Sequence, residues 1–143
     1  MGEASGAKGE GCCQYDQGRE IMKLGEEAIL QINLLNWFYE KYPEFADDVY
    51  HFAGERVCSV QQGRTLKRMG VKRGVADLFL AVPRGTFGGL WLELKVNNGK
   101  LSGSQRDFLE RMINRGYAAA CVNGMDAAKA LLISYLEENA VSK

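Results

Sequence analysis

A chain of 143 residues has room for one buried core and not for two. Apolar residues make up 46% and charged residues 25%, a mix that excludes a disordered or fibrous chain, and no apolar run approaches the ~20 residues needed to span a bilayer. Basic and acidic side chains cancel to a formal net charge of +0, so overall charge advertises no polyanionic partner. Its distribution does. The stretch RVCSVQQGRTLKRMGVKR carries Arg56, Arg64, Lys67, Arg68, Lys72 and Arg73 and no acid, whereas the first fifty residues are acidic. Such asymmetry is either the footprint of a nucleic-acid contact or the solvated face of a helix.

The start, MGEASGAKGEGCCQYDQG, is Gly-rich and polar and lacks the apolar stretch of a signal peptide. Gly6 stands where a myristoylation pattern needs Ser or Thr. Residues 1–17 therefore read as a flexible tail and 18–143 as a single domain. Cys12 and Cys13 are adjacent, Cys58 and Cys121 stand alone in apolar surroundings, and His51 completes no zinc spacing. Buried or incidental thiols in a reducing cytoplasm are expected.

In chain order, apolar residues at three-to-four spacing (Leu30, Leu34, Leu35, Phe38) predict a helix from about Asp16 to Lys41, ended by Pro43. DVYHF predicts a short strand, and Val57–Met69 a basic helix closed by Gly70. VADLFLAV and LWLELKV, joined by PRGTFGG, predict a β-hairpin. A helix follows from about Ser104 to Arg115, with Gly116 beyond its end. YAAACV reads as a buried strand, NG as a turn, and Asp126 as the cap of a last helix through Tyr135. The order α-β-α-β-β-α-β-α predicts an α/β domain, a mixed sheet with helices on its faces.

The hairpin gathers charge. Glu93 and Lys95 share one face of their strand, while Leu92, Leu94 and Val96 take the other. With the turn centred at Gly85–Thr86, antiparallel pairing sets Asp77 opposite the Glu93–Lys95 end. Two half-buried carboxylates together are unfavourable unless something positive sits between them. Lys95 does part of this, and a hard cation such as Mg²⁺ would do it better; the alternative is a salt bridge on an exposed face. Glu27 and Gln31 extend the apolar stripe of the first helix, and are either partners of such a site or solvated beyond Leu30. Gln105 shares a face with Phe108, Leu109 and Met112, yet it also has capping-box spacing from Ser102. Lys72 and Arg73 lead the basic segment directly into the strand carrying Asp77.

GVKRGVADLFL, GLWLELKV and LSGSQRDFLERMINRGY together resemble the virus-type replication–repair nuclease (VRR-NUC) family of the PD-(D/E)XK superfamily, from about Gly25 to Leu136. The resemblance implies a restriction-endonuclease-like fold and Mg²⁺- or Mn²⁺-dependent hydrolysis of DNA phosphodiester bonds, leaving 5′-phosphate and 3′-hydroxyl ends. Asp77 matches the motif aspartate, Glu93 and Lys95 the E-x-K pair, Gln105 the downstream glutamine, and Glu27, rather than the adjacent Glu26, the N-terminal glutamate. The implied metal ligands are Asp77, Glu93 and the Leu94 carbonyl, with Glu27 reaching the metal directly or through water. Lys95 would position the attacking water or neutralise developing charge, and Gln105 would orient the water or a phosphate oxygen. Arg64, Lys67, Arg68, Lys72 and Arg73 would hold the DNA. Ala76 replaces the family's usual proline, and AGER stands where an Asn-Gly pair is common.

Small standalone members resemble homodimers acting on branched DNA such as Holliday junctions. The absence of an appended domain favours a dimer here, in the cytoplasm of a bacterial or phage-infected cell, with a replication or repair helicase as a possible partner. Two rival readings are a non-catalytic DNA-binding or assembly module on a decayed nuclease fold and a sequence-specific restriction-type endonuclease. The joint presence of Asp77, Glu93 and Lys95 argues against the first, and the short chain against the second.

Overall fold

Leu30, Leu34 and Phe38 recur at three-to-four spacing and bury one side of helix α1 (Glu26–Lys41). Pro43 cannot continue the helix and opens a 3-10 turn, Pro43–Asp48, that feeds strand β1 (Val49–His51). The computed structural model describes residues 24–52 and 59–138. The tail over 1–17, the helix start at Asp16, Cys12, Cys13, Arg56, Cys58 and the AGER stretch lie outside these residues.

Helix α2 (Val60–Arg68) begins after a Ser59 cap rather than at Val57. Ser59 Oγ accepts from the Gln62 N–H at 3.2 Å, and Gln62 Oε1 accepts from the Ser59 N–H at 3.0 Å. Strands β2 (Leu78–Leu80) and β3 (Leu90–Lys95) form the hairpin. Arg84 and Phe87 exchange two backbone hydrogen bonds across its turn, which places that turn around Gly85–Thr86 as expected. Then come α3 (Gly103–Asn114), β4 (Ala118–Asn123) and α4 (Met125–Ile133), the last running into a π-helical turn, Ser134–Glu138. The sheet order is β1-β2-β3-β4, with antiparallel pairing up to β3 and a parallel β3–β4 pair joined through α3. This is the α/β order anticipated from the sequence. No described helix is long and apolar enough to cross a membrane.

Two expectations are corrected and a third is narrowed. Asp126 does not cap α4: Gly124, at φ +85°, occupies the cap position, and Asp126 sits in the first turn, where its charge complements the helix dipole. YAAACV is not a buried strand, because among the described residues β4 ends the sheet and has a strand neighbour on one side only; its residues are half-buried or exposed. For the same reason Cys121 is exposed, which sets aside the buried alternative for its thiol and leaves the incidental one.

The two faces of the sheet are different. Leu78, Leu80, Leu90, Leu92 and Leu94 point to one side and pack with Leu34 and Phe38 of α1 and with Ala128 and Leu132 of α4. Tyr135 closes this core by donating its hydroxyl to the Val82 carbonyl at 2.7 Å. The alternate residues Phe79, Trp91, Glu93 and Lys95 point to the other side, under α3. There the apolar cluster is small: Ala76, Phe108 and Leu109, with Trp91 against the Phe108 edge at 4.9 Å. One face supplies most of the stability, and the other is left for polar chemistry.

Gly74 sets the distance between the two halves of that second face. It has φ +76°, and a Cβ there would lie 2.5 Å from the Ser104 carbonyl carbon and oxygen. The segment leading to Asp77 thus presses on the first turn of α3 with no room for a methyl group. Gly74→Ala is expected to lower the unfolding free energy by at least roughly 1–3 kcal/mol from backbone strain alone, read by denaturant titration.

Candidate active site

Register brings the acids together. Leu78 pairs with Leu92, so the next residues along are Asp77 and Glu93, and Glu93 in turn stands opposite Cys121 of β4. The β2 ladder stops at Leu78, and the Leu94 N–H, which points toward β2, is donated to Asp77 Oδ2 at 2.8 Å. Because the N–H and C=O of one strand residue point the same way, the Leu94 carbonyl also turns toward Asp77.

Glu93 is only 2% exposed. Its Oε1 lies 3.1 Å from Lys95 Nζ and accepts a hydrogen bond from Gln105 Nε2 at 2.8 Å. Its Oε2 is buried with no hydrogen-bond partner. Burial first, and then the charge of Asp77, push the Glu93 carboxyl above its ordinary range, with Lys95 and the Asp77 backbone N–H offsetting part of this. For Lys95 burial alone would act downward, but the Glu93, Glu27 and Asp77 carboxylates outweigh it and the net shift is upward. The carboxylate neighbours of Lys95 therefore favour its ammonium form.

Gln105 does both of the things its sequence position allowed. Its Oε1 accepts from the Ser102 N–H at 2.9 Å, completing a capping box with Ser102 Oγ, while its Nε2 reaches Glu93. On α1 the two glutamates part company. The Asn97 side-chain amide donates to Glu26 Oε2, whereas Glu27 is the one whose charge bears on Lys95. Glu27 is exposed and Gln31 half-buried, so the buried stripe ends at Leu30. Asn97 and Asn98, at φ 51° and 57°, form the turn that brings this contact about. The sequence reading missed Asn97; the Asn-Asn-Gly run right after the E-x-K strand was its only signal.

A family model described as the VRR-NUC domain matches residues 21–126. The chain belongs to the VRR-NUC family. A solved structure named as a VRR_NUC domain protein superposes with a TM-score of 0.72 at 25% identity, covering 85% of this chain and 96% of its own. No curated protein matches the chain. VRR-NUC proteins are nucleases, and nucleases of this type generally use a divalent metal.

The residues present suit a hard divalent ion. Glu93 Oε2 is a desolvated anionic oxygen with nothing bonded to it, an arrangement that a cation would relieve. The Asp77 and Glu93 carboxylates and the Leu94 carbonyl offer oxygen donors, as Mg²⁺ and Mn²⁺ favour. Among the described residues no three His, Cys, Asp or Glu side chains gather into a ligating group. Asp77 and Glu93 would hold the ion with the Leu94 carbonyl and water, with the Glu27 charge nearby on α1. Arg64, Lys67 and Arg68 of α2 and Lys72 and Arg73 beyond it are exposed, and none forms an ion pair among the described residues.

The raised Glu93 carboxyl carries a consequence for stability. A folded-state value above the unfolded one means that the folded protein binds the proton more tightly, so this group's contribution worsens as pH rises from the unfolded value through the folded one. Glu93→Gln, a mimic of the neutral acid, is expected to raise the melting temperature at neutral pH and to give a smaller gain near pH ~4. Scanning calorimetry at the two pH values checks this; a gain that grew on acidification would refute it.

Proposed function

We propose that this VRR-NUC domain is a Mg²⁺- or Mn²⁺-dependent endodeoxyribonuclease that hydrolyses phosphodiester bonds in branched DNA such as Holliday junctions. The observation that carries the reading is the buried, half-satisfied carboxylate: Glu93 Oε2 has no partner, while Asp77 and the Lys95 ammonium flank it.

When bound, the divalent ion supplies Lewis acidity toward the phosphate and acidifies a coordinated water. The chain's own residues set up the rest. Asp77 and Glu93 would hold the ion, and Asp77 is fixed in place by the Leu94 N–H. Lys95, kept charged by its carboxylate neighbours, sits where negative charge grows on the phosphate oxygens and stabilises it electrostatically. Gln105 has both ends of its amide engaged, so it acts as a positioning residue for Glu93 rather than a group that orients water. Glu27 contributes charge from the first turn of α1, through water.

The exposed cations of α2 and of Lys72–Arg73 complement a phosphate backbone approaching from the Asp77 side. A homodimer would present two such sites around a two-fold axis, which suits the symmetry of a four-way junction. Action in the cytoplasm of a bacterial or phage-infected cell, beside a replication or repair helicase, fits this role.

With Mg²⁺ or Mn²⁺, the purified protein is expected to nick four-way or flapped DNA. Asp77→Asn and Lys95→Ala should each reduce the rate by about 10²-fold or more while keeping the wild-type circular dichroism spectrum. Cleavage that persists in excess EDTA, or at full rate in Asp77→Asn, would remove the mechanism. For Gln105→Ala a loss in turnover without a change in DNA affinity is expected, measured by single-turnover kinetics and anisotropy.

A further inference from the structure

The row of residues that holds Asp77 and Glu93 continues onto β1. Val49 pairs with Leu80 and His51 with Leu78, and the Phe52 N–H donates to the Asp77 carbonyl at 3.0 Å. Phe52 therefore stands directly opposite Asp77, on the same face of the sheet. Phe52 is 40% exposed, and its ring tilts against Trp91 with centroids 5.3 Å apart. Trp91 is itself braced by Phe79, stacked at 4.4 Å, and by the Phe108 edge. Phe52 and Trp91 line a cleft of ≈ 480 Å³ whose other lining includes Met69, Val71 and Lys72, from the segment that follows α2.

Three features of this cleft point in one direction. It offers a rigid aromatic surface, since Trp91 cannot turn without displacing Phe79. It leaves apolar side chains in water, with Met69 76% and Val71 44% exposed. Lys72 lines it, and the chain from Arg64 to Arg73, which supplies that side of the cleft, carries five cations and no acid. Planar apolar rings on anionic linkers are the ligands that complement such a surface. His51 adds a polar handle. Its Nδ1 lies 2.9 Å from the Asp77 carbonyl, which can only accept, so Nδ1 donates there and the far edge of the ring lines the cleft.

We infer that this cleft takes one unstacked nucleobase, belonging to the nucleotide beside the phosphate held at Asp77 and Glu93. The DNA selected is then one whose strand is unpaired at that point: a flap, a junction branch point or a single strand. A base paired within a duplex must first give up its pairing and stacking to lie against Phe52, which disfavours the duplex. The inference rests on the nuclease reading of the carboxylate site for its choice of DNA, and on the cleft itself for the stacking.

The test is binding by the full chain in EDTA, so that no outcome depends on cleavage. Anisotropy compares a labelled oligodeoxythymidine with a fully paired duplex of equal length. Phe52→Ala is expected to weaken the unpaired strand on the order of tenfold and the duplex by less than about twofold, while Phe52→Trp stays close to wild type. In a Trp37→Phe background, where Trp91 is the remaining tryptophan, the oligodeoxythymidine should quench the emission. A single abasic nucleotide moved along the strand should weaken binding to the unaltered protein at one position, which guards against a Phe52→Ala variant that fails to fold. Equal losses on both DNAs, no abasic effect at any position, or no binding to the unpaired strand would each overturn the inference. Self-association abolished by Phe52→Ala, without base dependence, would overturn it in favour of a second copy of the chain. Base-dependent binding without cleavage under Mg²⁺ or Mn²⁺ would keep the cleft and remove the nuclease reading; cleavage without base dependence would do the reverse.

Discussion

A carboxylate that is 2% exposed is an expensive thing to fold, and the design of this domain follows from how Glu93 is tolerated. One oxygen is satisfied twice, by Lys95 and Gln105, and the other not at all. Half-satisfied buried ion pairs add little to stability and are often improved by apolar replacements. The domain accommodates the arrangement by segregation. The opposite face of the sheet is a wall of leucines packed on α1 and α4, and it needs nothing from the polar side. The face under α3 can then remain poorly satisfied without unfolding the chain.

The same segregation explains which parts were legible in the sequence. Period-2 alternation in LWLELKV settles which side chains share a face, and the turn at PRGTFGG settles which residues oppose them, so the Asp77–Glu93–Lys95 constellation was readable before any coordinates. The leucine stripe of α1 was readable for the same reason. What the letters left open was anything decided by a contact between distant elements. Glu26 and Glu27 are indistinguishable by propensity, and only the Asn97 turn separates them, engaging one and leaving the other toward Lys95. Burial of β4 was misjudged because an apolar run looks alike at the centre and at the edge of a sheet, and strand order is a global property. Asp126 was misplaced because Gly124 can adopt a left-handed cap geometry that a side-chain cap rule does not foresee.

The candidate site lies at strand ends rather than in loops. The acids, the ammonium and the Leu94 carbonyl all sit where β2 stops and β3 goes on. Strand backbone holds such groups more firmly than a loop would, which suits a site that works by placing charge. The basic helix α2 is the contrast: it buries no residue and is held by its capping box and the chain on either side.

Gln105 shows how narrow such a solution becomes. Its carbonyl must face the Ser102 amide while its amino group faces Glu93, so the side chain needs an acceptor and a donor on the same terminal atom group. Glutamate would turn a second acceptor toward an anion, lysine would lose the acceptor, leucine would lose both, and asparagine is a methylene shorter. Of the twenty letters only one meets both demands at this reach, and the spelling of the helix start is thereby dictated from a neighbouring strand.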